Sequence, residues 1–399
     1  MKFETEVSKR FGDYLQMLHF NSMEAEALHL LEAVYDFEPL KEPGSHLLGE
    51  GPLSSYFYRG GEIPLILSAL SNLEAPSAKV PPPLPLLLLH LKLMYLKSPL
   101  DALPCVSNLY RLSLPSPPTR QNYNSTLQLR KKRIPPPPPP PLPRAYKSAG
   151  KVLPKKYKSH NAYFSQICYL LLPPLSKTSP PPPAPTAGPG GKRTVHVVGD
   201  SHSLSLHGVG VEAEGVWFQS RVAVGVKMKH FFERGEGTKF FARTIFEGHL
   251  NRIEGVTVVV SCGEIDCREG VGGLAVQGFI NGEVEWEEVE AEIRKVVDGY
   301  LMELEAVMES VGKTAYLMQI PQGRDRAGGR ELSRAAKVKT VKAVNDRLRL
   351  YRGERVKGLD YDVNDEDGMK ILNEFDGDGT HTNTRVAKPV AEALRRATD

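Results

Sequence analysis

Arg193-Thr-Val-His-Val-Val-Gly-Asp-Ser-His202 is a short apolar run, rich in β-branched residues, that stops abruptly in small and polar ones. Thr194–Val198 reads as a strand, and the break after it as a strand-to-helix turn with a hydroxyl at Ser201. Strand alternation turns His196 away from Val195 and Val197. The same alternation of apolar runs and amphipathic stretches continues downstream. Val216–Val224 is a second apolar run, and Val256–Ser261 has the unbroken β-branched character of a central strand. Val284–Val311 is predicted as a long acidic helix with Val289, Ile293, Val296, Tyr300, Leu304 and Met308 on its buried side. Thr314–Ile320 follows as a strand, Leu332–Leu350 as a helix, Val356–Leu359 as a strand and Val386–Ala397 as the last helix. Strands alternating with helices of this length imply an α/β domain whose mostly parallel sheet is covered on both faces. Ligands of such sheets bind at the carboxyl ends of the strands. Ser201, Gly263-Glu-Ile-Asp266 and the loop after Ile320 all fall there.

The sequence before this region has a different character. Of 33 prolines, only Pro321 and Pro389 lie beyond residue 190. Residues 191–399 carry 30 Lys+Arg against 34 Asp+Glu, net −4, so the chain's +4 leaves +8 for residues 1–190. We therefore expect three parts: 1–77, a short helical or poorly ordered segment; 78–190, a proline-rich low-complexity linker; and 191–399, the folded domain. A domain of about 200 residues buries a full core without disulfide or metal.

Within residues 3–36, Phe11, Tyr14, Leu15 and Leu18 fall near helical spacing, as do Ala25, Leu28, Leu31 and Val34. Pro81–Pro83, Pro135–Pro141 and Pro180–Pro183 are polyproline II formers. Arg130–Arg133 and Arg144, Lys147, Lys155, Lys156 and Lys158 border the central run. That pattern suits a stiff solvated spacer, with an SH3 or WW domain or an anionic surface as the alternative partner. Cation clusters without a folded aromatic platform do not indicate nucleic acid. The most apolar stretch, Pro82–Leu96, is interrupted by Pro85, His90 and Lys92 and is too short to span a bilayer comfortably. With acids at Glu4 and Glu6, where a signal peptide needs its apolar run, the expected protein is soluble and cytoplasmic. Cys105, Cys168, Cys262 and Cys267 lack metal-ligand spacing, and no cofactor is expected.

Ser201 needs a base, because a free hydroxyl is a weak nucleophile near neutral pH. His381 is the best candidate, since an imidazole can accept the proton and return it to a leaving alcohol. Asp378, three residues earlier in a glycine-rich loop, would hold the ring's tautomer, with Asp376 as second choice. An isolated Asp-x-x-His is commonly structural; a serine at a strand end adds weight to it. Neither a phosphate-cradling glycine motif nor the Gly-x-Ser-x-Gly elbow is present, since Gly270, Gly272 and Gly273 lack the spacing. Cys262 and Cys267 are expected to be buried small hydrophobes, His202 and His196 to be packing residues beside the site, and Asp266 to orient the loop after the central strand. Asn345, Arg324 and Arg326 are expected at the surface.

Three blocks in order resemble the SGNH/GDSL hydrolase superfamily: Gly199-Asp200-Ser201, Gly263-Glu-Ile-Asp-Cys-Arg268, and Asp378-Gly-Thr-His381. The resemblance covers about residues 192–397. It implies a three-layer α/β/α sandwich of flavodoxin-like form, a serine nucleophile and no metal or organic cofactor. Esterases, lipases, carbohydrate deacetylases and acyltransferases belong to that family. By the same resemblance the oxyanion hole takes the Ser201 amide and a second-block glycine amide, Gly225 being chosen over Gly208 and Gly210. The family's third donor is an asparagine where this chain has Ile265, which cannot donate. Loss of one such donor costs about 3 kcal/mol. Arg268 either supplies charge to the site or grips an anionic substrate group, unless it pairs with Glu264 or Asp266. The expected activity is hydrolysis or transfer of O-acyl esters, with small acyl groups on carbohydrate as a plausible substrate. The alternatives are an inactive carbohydrate-binding domain of the same fold, and an adaptor acting through the proline-rich segment.

Overall fold

The structure, a computed structural model, describes residues 15, 18, 24–34, 84–113, 166–167, 170–171, 189–223, 225–232, 238–269, 273–322, 331–364 and 381–399. The chain divides into two compact units, and the unit whose main body is Pro182–Asp399 carries the sheet.

Three helices are described in the first part of the chain: α1 (Glu24–Val34), α2 (Leu84–Lys97) and α3 (Pro99–Ser113). The last two lie inside the stretch expected to be linker. Pro85 sits in the first turn of α2, where its missing amide hydrogen has no helical partner to lose. From Leu86 to Leu96 every residue is buried, His90 and Lys92 included, which explains why the sequence is apolar on every side of the helix but at those two positions. Among the described residues no helix is long and apolar enough to cross a membrane. The proline runs at 81–83, 135–141 and 180–183, and the basic residues beside the central one, lie outside the described residues.

Six strands form one sheet: β1 (Arg193–Gly199), β2 (Gly210–Val211), β3 (Val216–Val222), β4 (Thr257–Ser261), β5 (Thr314–Leu317) and β6 (Val356–Gly358). Their order is β2-β3-β1-β4-β5-β6, parallel throughout except for β2 against β3. The chain crosses from β3, on one side of β1, to β4 on the other, so the strand order reverses at β1. That reversal opens a crevice at the carboxyl edge of β1.

Side-chain alternation splits the core in two. Val195 and Val197 of β1, Val259 of β4 and Tyr316 of β5 face Leu206, Val386, Val390 and Leu394. Val198, Val258, Val260, Ala315 and Leu317 face the opposite layer. Beyond a single-turn helix, α4 (Lys229–Phe232), that layer contains α5 (Thr238–Arg252), α8 (Trp286–Ser310) and α9 (Glu331–Leu350). Two shorter helices, α6 (Glu264–Glu269) and α7 (Gly273–Asn281), follow β4. The first face is covered by the final helix, α10 (Ala387–Thr398). The result is a mostly parallel sheet with helices on both faces.

The predicted helix over 284–311 is α8, with Val289, Ile293, Tyr300, Leu304 and Met308 buried; Val297 is buried too, while Val296 is half-buried. Helix α5 was not read from the sequence: its buried stripe of Ala242, Ile245, Phe246, His249 and Leu250 includes a histidine, and Gly248 lies within the helix.

His196 lies on the same face of β1 as Val198, opposite Val195 and Val197, with its Nδ1 buried and without a hydrogen bond. Burial, with Arg221 and Lys313 adding to it, lowers its pKa to about 4. A folded value below the unfolded one means the unfolded chain takes up a proton first as pH falls. This group's contribution is therefore intact above the ordinary value of 6.5 and is lost towards about 4. We expect the urea midpoint of His196→Gln to vary less between pH 7 and pH 4.5 than that of the parent. Parallel midpoints across that range would contradict this.

Candidate active site

Ser201 opens a 3-10 turn, Ser201–Leu206, directly after β1. Asp200 caps the turn, its Oδ1 accepting from the His202 amide at 2.9 Å, as Asp and Ser do at helix starts. Ser261 Oγ of β4 donates to the same oxygen at 3.3 Å. Gly199 comes so close to β4 that an added Cβ would sit 1.8 Å from the Ser261 carbonyl oxygen. The tight approach leads the chain from the sheet into the turn.

His381 lies 180 residues downstream, at the start of the segment leading into α10. Its Nε2 is 2.9 Å from Ser201 Oγ. For the hydroxyl to donate, Nε2 must be the unprotonated nitrogen, which requires the proton on Nδ1. Two further contacts hold the segment. Ser205 Oγ donates to the Thr382 carbonyl at 2.6 Å, and Asn383 caps the following 3-10 turn through the Arg385 amide at 2.9 Å. Ser205 thus ties the turn bearing Ser201 to the residue beside His381. Replacing it by alanine leaves the Thr382 carbonyl without this donor and should weaken the join by about 1 kcal/mol. We expect Ser205→Ala to lower ester turnover roughly tenfold; turnover equal to the parent would show the tie to be dispensable.

His202 is buried beside this pair, where packing was expected. Its ring centroid is 4.7 Å from that of His381, and its Nε2 lies 3.7 Å from Glu264 Oε2. Asp200 is also buried, and burial raises its carboxyl pKa; the nearby histidines pull it down while Glu264 pushes it up. A narrow cleft lined by Asp200, His202, Ser261, Glu264, Gln319 and Ile320 runs along the ends of β1, β4 and β5.

The loop after β5 is held from three sides. Asn345 of α9 accepts from the Ile320 amide at 2.7 Å and donates to its carbonyl at 2.8 Å. Asn364 accepts from the Gln322 amide at 2.6 Å, and Tyr361 Oη accepts from the Gln319 amide at 3.1 Å. Asn345 is accordingly buried, not at the surface as expected: its amide meets both backbone groups of one residue. Sequence spacing gave no sign of that pairing.

Gly225 lies in the loop after β3 with φ +71°, at the same carboxyl edge as Ser201. Ile265 is half-buried in α6. Asp266 also departs from expectation: its Oδ2 accepts from the Met228 amide at 2.9 Å, so the loop it holds follows β3 rather than β4. Cys262 and Cys267 are buried free thiols, and burial, reinforced by Asp266, pushes both well above the ordinary range. A thiol so placed is poorly nucleophilic. Asp376 and Asp378, the Arg268 side chain, Arg324 and Arg326 lie outside the described residues. Among the described residues no group of three or more His, Cys, Asp or Glu could hold a metal ion.

No family model matches the chain, and no curated protein matches it. Among solved structures, a candidate acylhydrolase from Bacteroides fragilis is similar at 13% identity and a TM-score of 0.32, over 54% of this chain and 89% of that one. A lipase from a goat rumen metagenome is similar at 14% identity and a TM-score of 0.31, over 51% of this chain and 96% of that one. Likeness at this level does not carry a function across.

Proposed function

We propose that residues 191–399 form a serine-dependent acyl-ester hydrolase or acyltransferase of SGNH/GDSL type, with the flavodoxin-like strand order of that family. One observation carries the reading: Ser201 Oγ and His381 Nε2 stand 2.9 Å apart at the carboxyl edge where the strand order reverses. A hydroxyl and an imidazole at that distance have the geometry that a nucleophile and its base require. Ser201 gives its proton to His381 Nε2 as Oγ bonds to the ester carbonyl carbon. The tetrahedral intermediate collapses, the C–O bond to the alcohol breaks, and His381 returns the proton to the departing oxygen. Water or an acceptor hydroxyl then attacks the acyl-serine by the same route in reverse. Asp378 is assigned to hold the imidazole, the amides of Ser201 and Gly225 to receive the oxyanion, and Arg268 to supply charge or bind an anionic group. Small O-acyl groups on carbohydrate are the proposed substrate, a choice supported by the family resemblance alone.

Ile265 favours a second reading. It is half-buried and its side chain has no donor to offer, so a domain that binds sugar esters without turning them over is the competitor. A fluorophosphonate probe separates the two. Covalent labelling at Ser201, much slowed in His381→Gln, supports acyl transfer. Sugar binding with an unlabelled Ser201 supports the binding domain.

A further inference from the structure

Three loops meet at one glycine. Gly263 follows β4 with φ +119°, and a Cβ there would lie 2.4 Å from Met228 Cε and 2.6 Å from Ile320 Cδ1. Met228 belongs to the loop after β3 and Ile320 to the loop after β5. Two residues beyond the opening of α6, the buried Asp266 carboxylate crosses to the first of these and accepts the Met228 amide at 2.9 Å. The other end of that loop is fastened to β1, where the Ala223 amide donates to the Gly199 carbonyl at 2.7 Å. Gly225 sits between these two anchors, in a turn closed by the Val226 amide on the Ala223 carbonyl at 3.2 Å.

We propose that Asp266 is a positioning residue of this site: through the Met228 amide its carboxylate fixes the turn that presents the Gly225 amide to the reacting carbonyl. The inference rests on the reading of Gly225 as an oxyanion donor. A backbone donor helps the transition state only if it is aimed before the charge develops, so the anchor matters as much as the amide. A charged acceptor holds an amide more tightly than a neutral one, which makes the anchor sensitive to protonation. Burial pushes Asp266 up to about 6, opposed by the Met228 and Lys229 amides and by Lys227, and assisted by Asp200. Cys262, Cys267 and Tyr300 also face it, all held neutral by burial. Because the folded value lies above the ordinary 3.8, this group adds stability below that value which is lost as pH rises through about 6. Protonation replaces a charged acceptor by a neutral one and so loosens the hold on the Met228 amide, while by linkage it does not destabilise the domain.

The test reads the turn and the reaction separately. Amide exchange by NMR should show protection of Met228 falling about tenfold in Asp266→Ala, and falling in the parent on acidification through pH 6. Asp266→Asn keeps an acceptor and cannot ionise, so its Met228 protection should not change across that interval; it also serves if the alanine variant fails to fold. With a small acyl ester, Asp266→Ala should lose about tenfold in kcat with KM nearly unchanged, as expected when a donor acts only in the transition state. Met228 protection equal to the parent's in Asp266→Ala overturns the proposal, as does a fall through pH 6 in Asp266→Asn matching the parent's, and so does lost protection with kcat unmoved. Fluorophosphonate labelling of the parent reports on acyl transfer independently, so its absence would sink the enzyme reading while the exchange data still decide whether Asp266 holds the loop.

Discussion

Ser201→Ala should lower kcat on a small acyl ester by at least about four orders of magnitude, with KM little changed and the melting temperature close to that of the parent. Ser201 is half-buried at the opening of a 3-10 turn, and the side chain that caps the turn is that of Asp200. Removing the Ser201 hydroxyl therefore takes away the nucleophile while the fold keeps its cap at Asp200 and its tie at Ser205. His381→Ala should cost a comparable factor, because an unassisted hydroxyl is barely nucleophilic at neutral pH. The double variant should be scarcely slower than either single one. Groups that act as a unit are not additive: once one is gone the other has nothing to act on. Single-site losses that multiply in the double variant would mean that Ser201 and His381 contribute separately, and the 2.9 Å contact would then not be the working pair. Activity of Ser201→Ala equal to the parent would end the acyl-transfer reading altogether.

Much of the sheet was legible because its strands carry strong local signals. Val256–Val260 is β-branched without interruption, and β4 is central with Val258–Val260 buried on both faces, while Val195, Val197 and Val198 report two cores by their alternation. Helix α8 declared itself through a stripe with acids on the other side. The elements that were missed lack such signals. In α2 every residue from Leu86 to Leu96 is buried, so no periodicity survives, and a first-turn proline reads like linker when it stands among other prolines. Around the candidate site, Ser201 and His381, which the structure brings to 2.9 Å, could be paired from sequence because their residue types suit one another and their places fall at element ends. Asn345 and Asp266 were assigned to the wrong surroundings because their work is to bond backbone amides 25 and 38 residues away. Any asparagine or aspartate could do so, and only tertiary placement says which one does. The His202–Glu264 approach is invisible for the same reason: neither residue type requires the other.

Gly199→Ala should cost about 3 kcal/mol or more. For a domain near 200 residues that is a fall of roughly 6–12 °C in melting temperature. The new Cβ would lie 1.8 Å from the Ser261 oxygen and 2.6 Å from its carbonyl carbon. Both atoms belong to the backbone of the adjoining strand, so no side-chain rotation can make room. Separating the strands would stretch the Asp200 amide to Ser261 carbonyl bond, now 2.9 Å, and the bond from Ala223 to the Gly199 carbonyl, now 2.7 Å. Gly225→Ala is the control. No atom lies within 4 Å of its added Cβ, but its φ of +71° is one that side-chain-bearing residues adopt at a cost of about 1–2 kcal/mol. Chemical or thermal unfolding of the two variants distinguishes a glycine required for space from one required for conformation. Near-equal midpoints would mean that β1 and β4 do not approach so closely at the Ser201 turn, and the backbone that aims the hydroxyl would have to be placed differently.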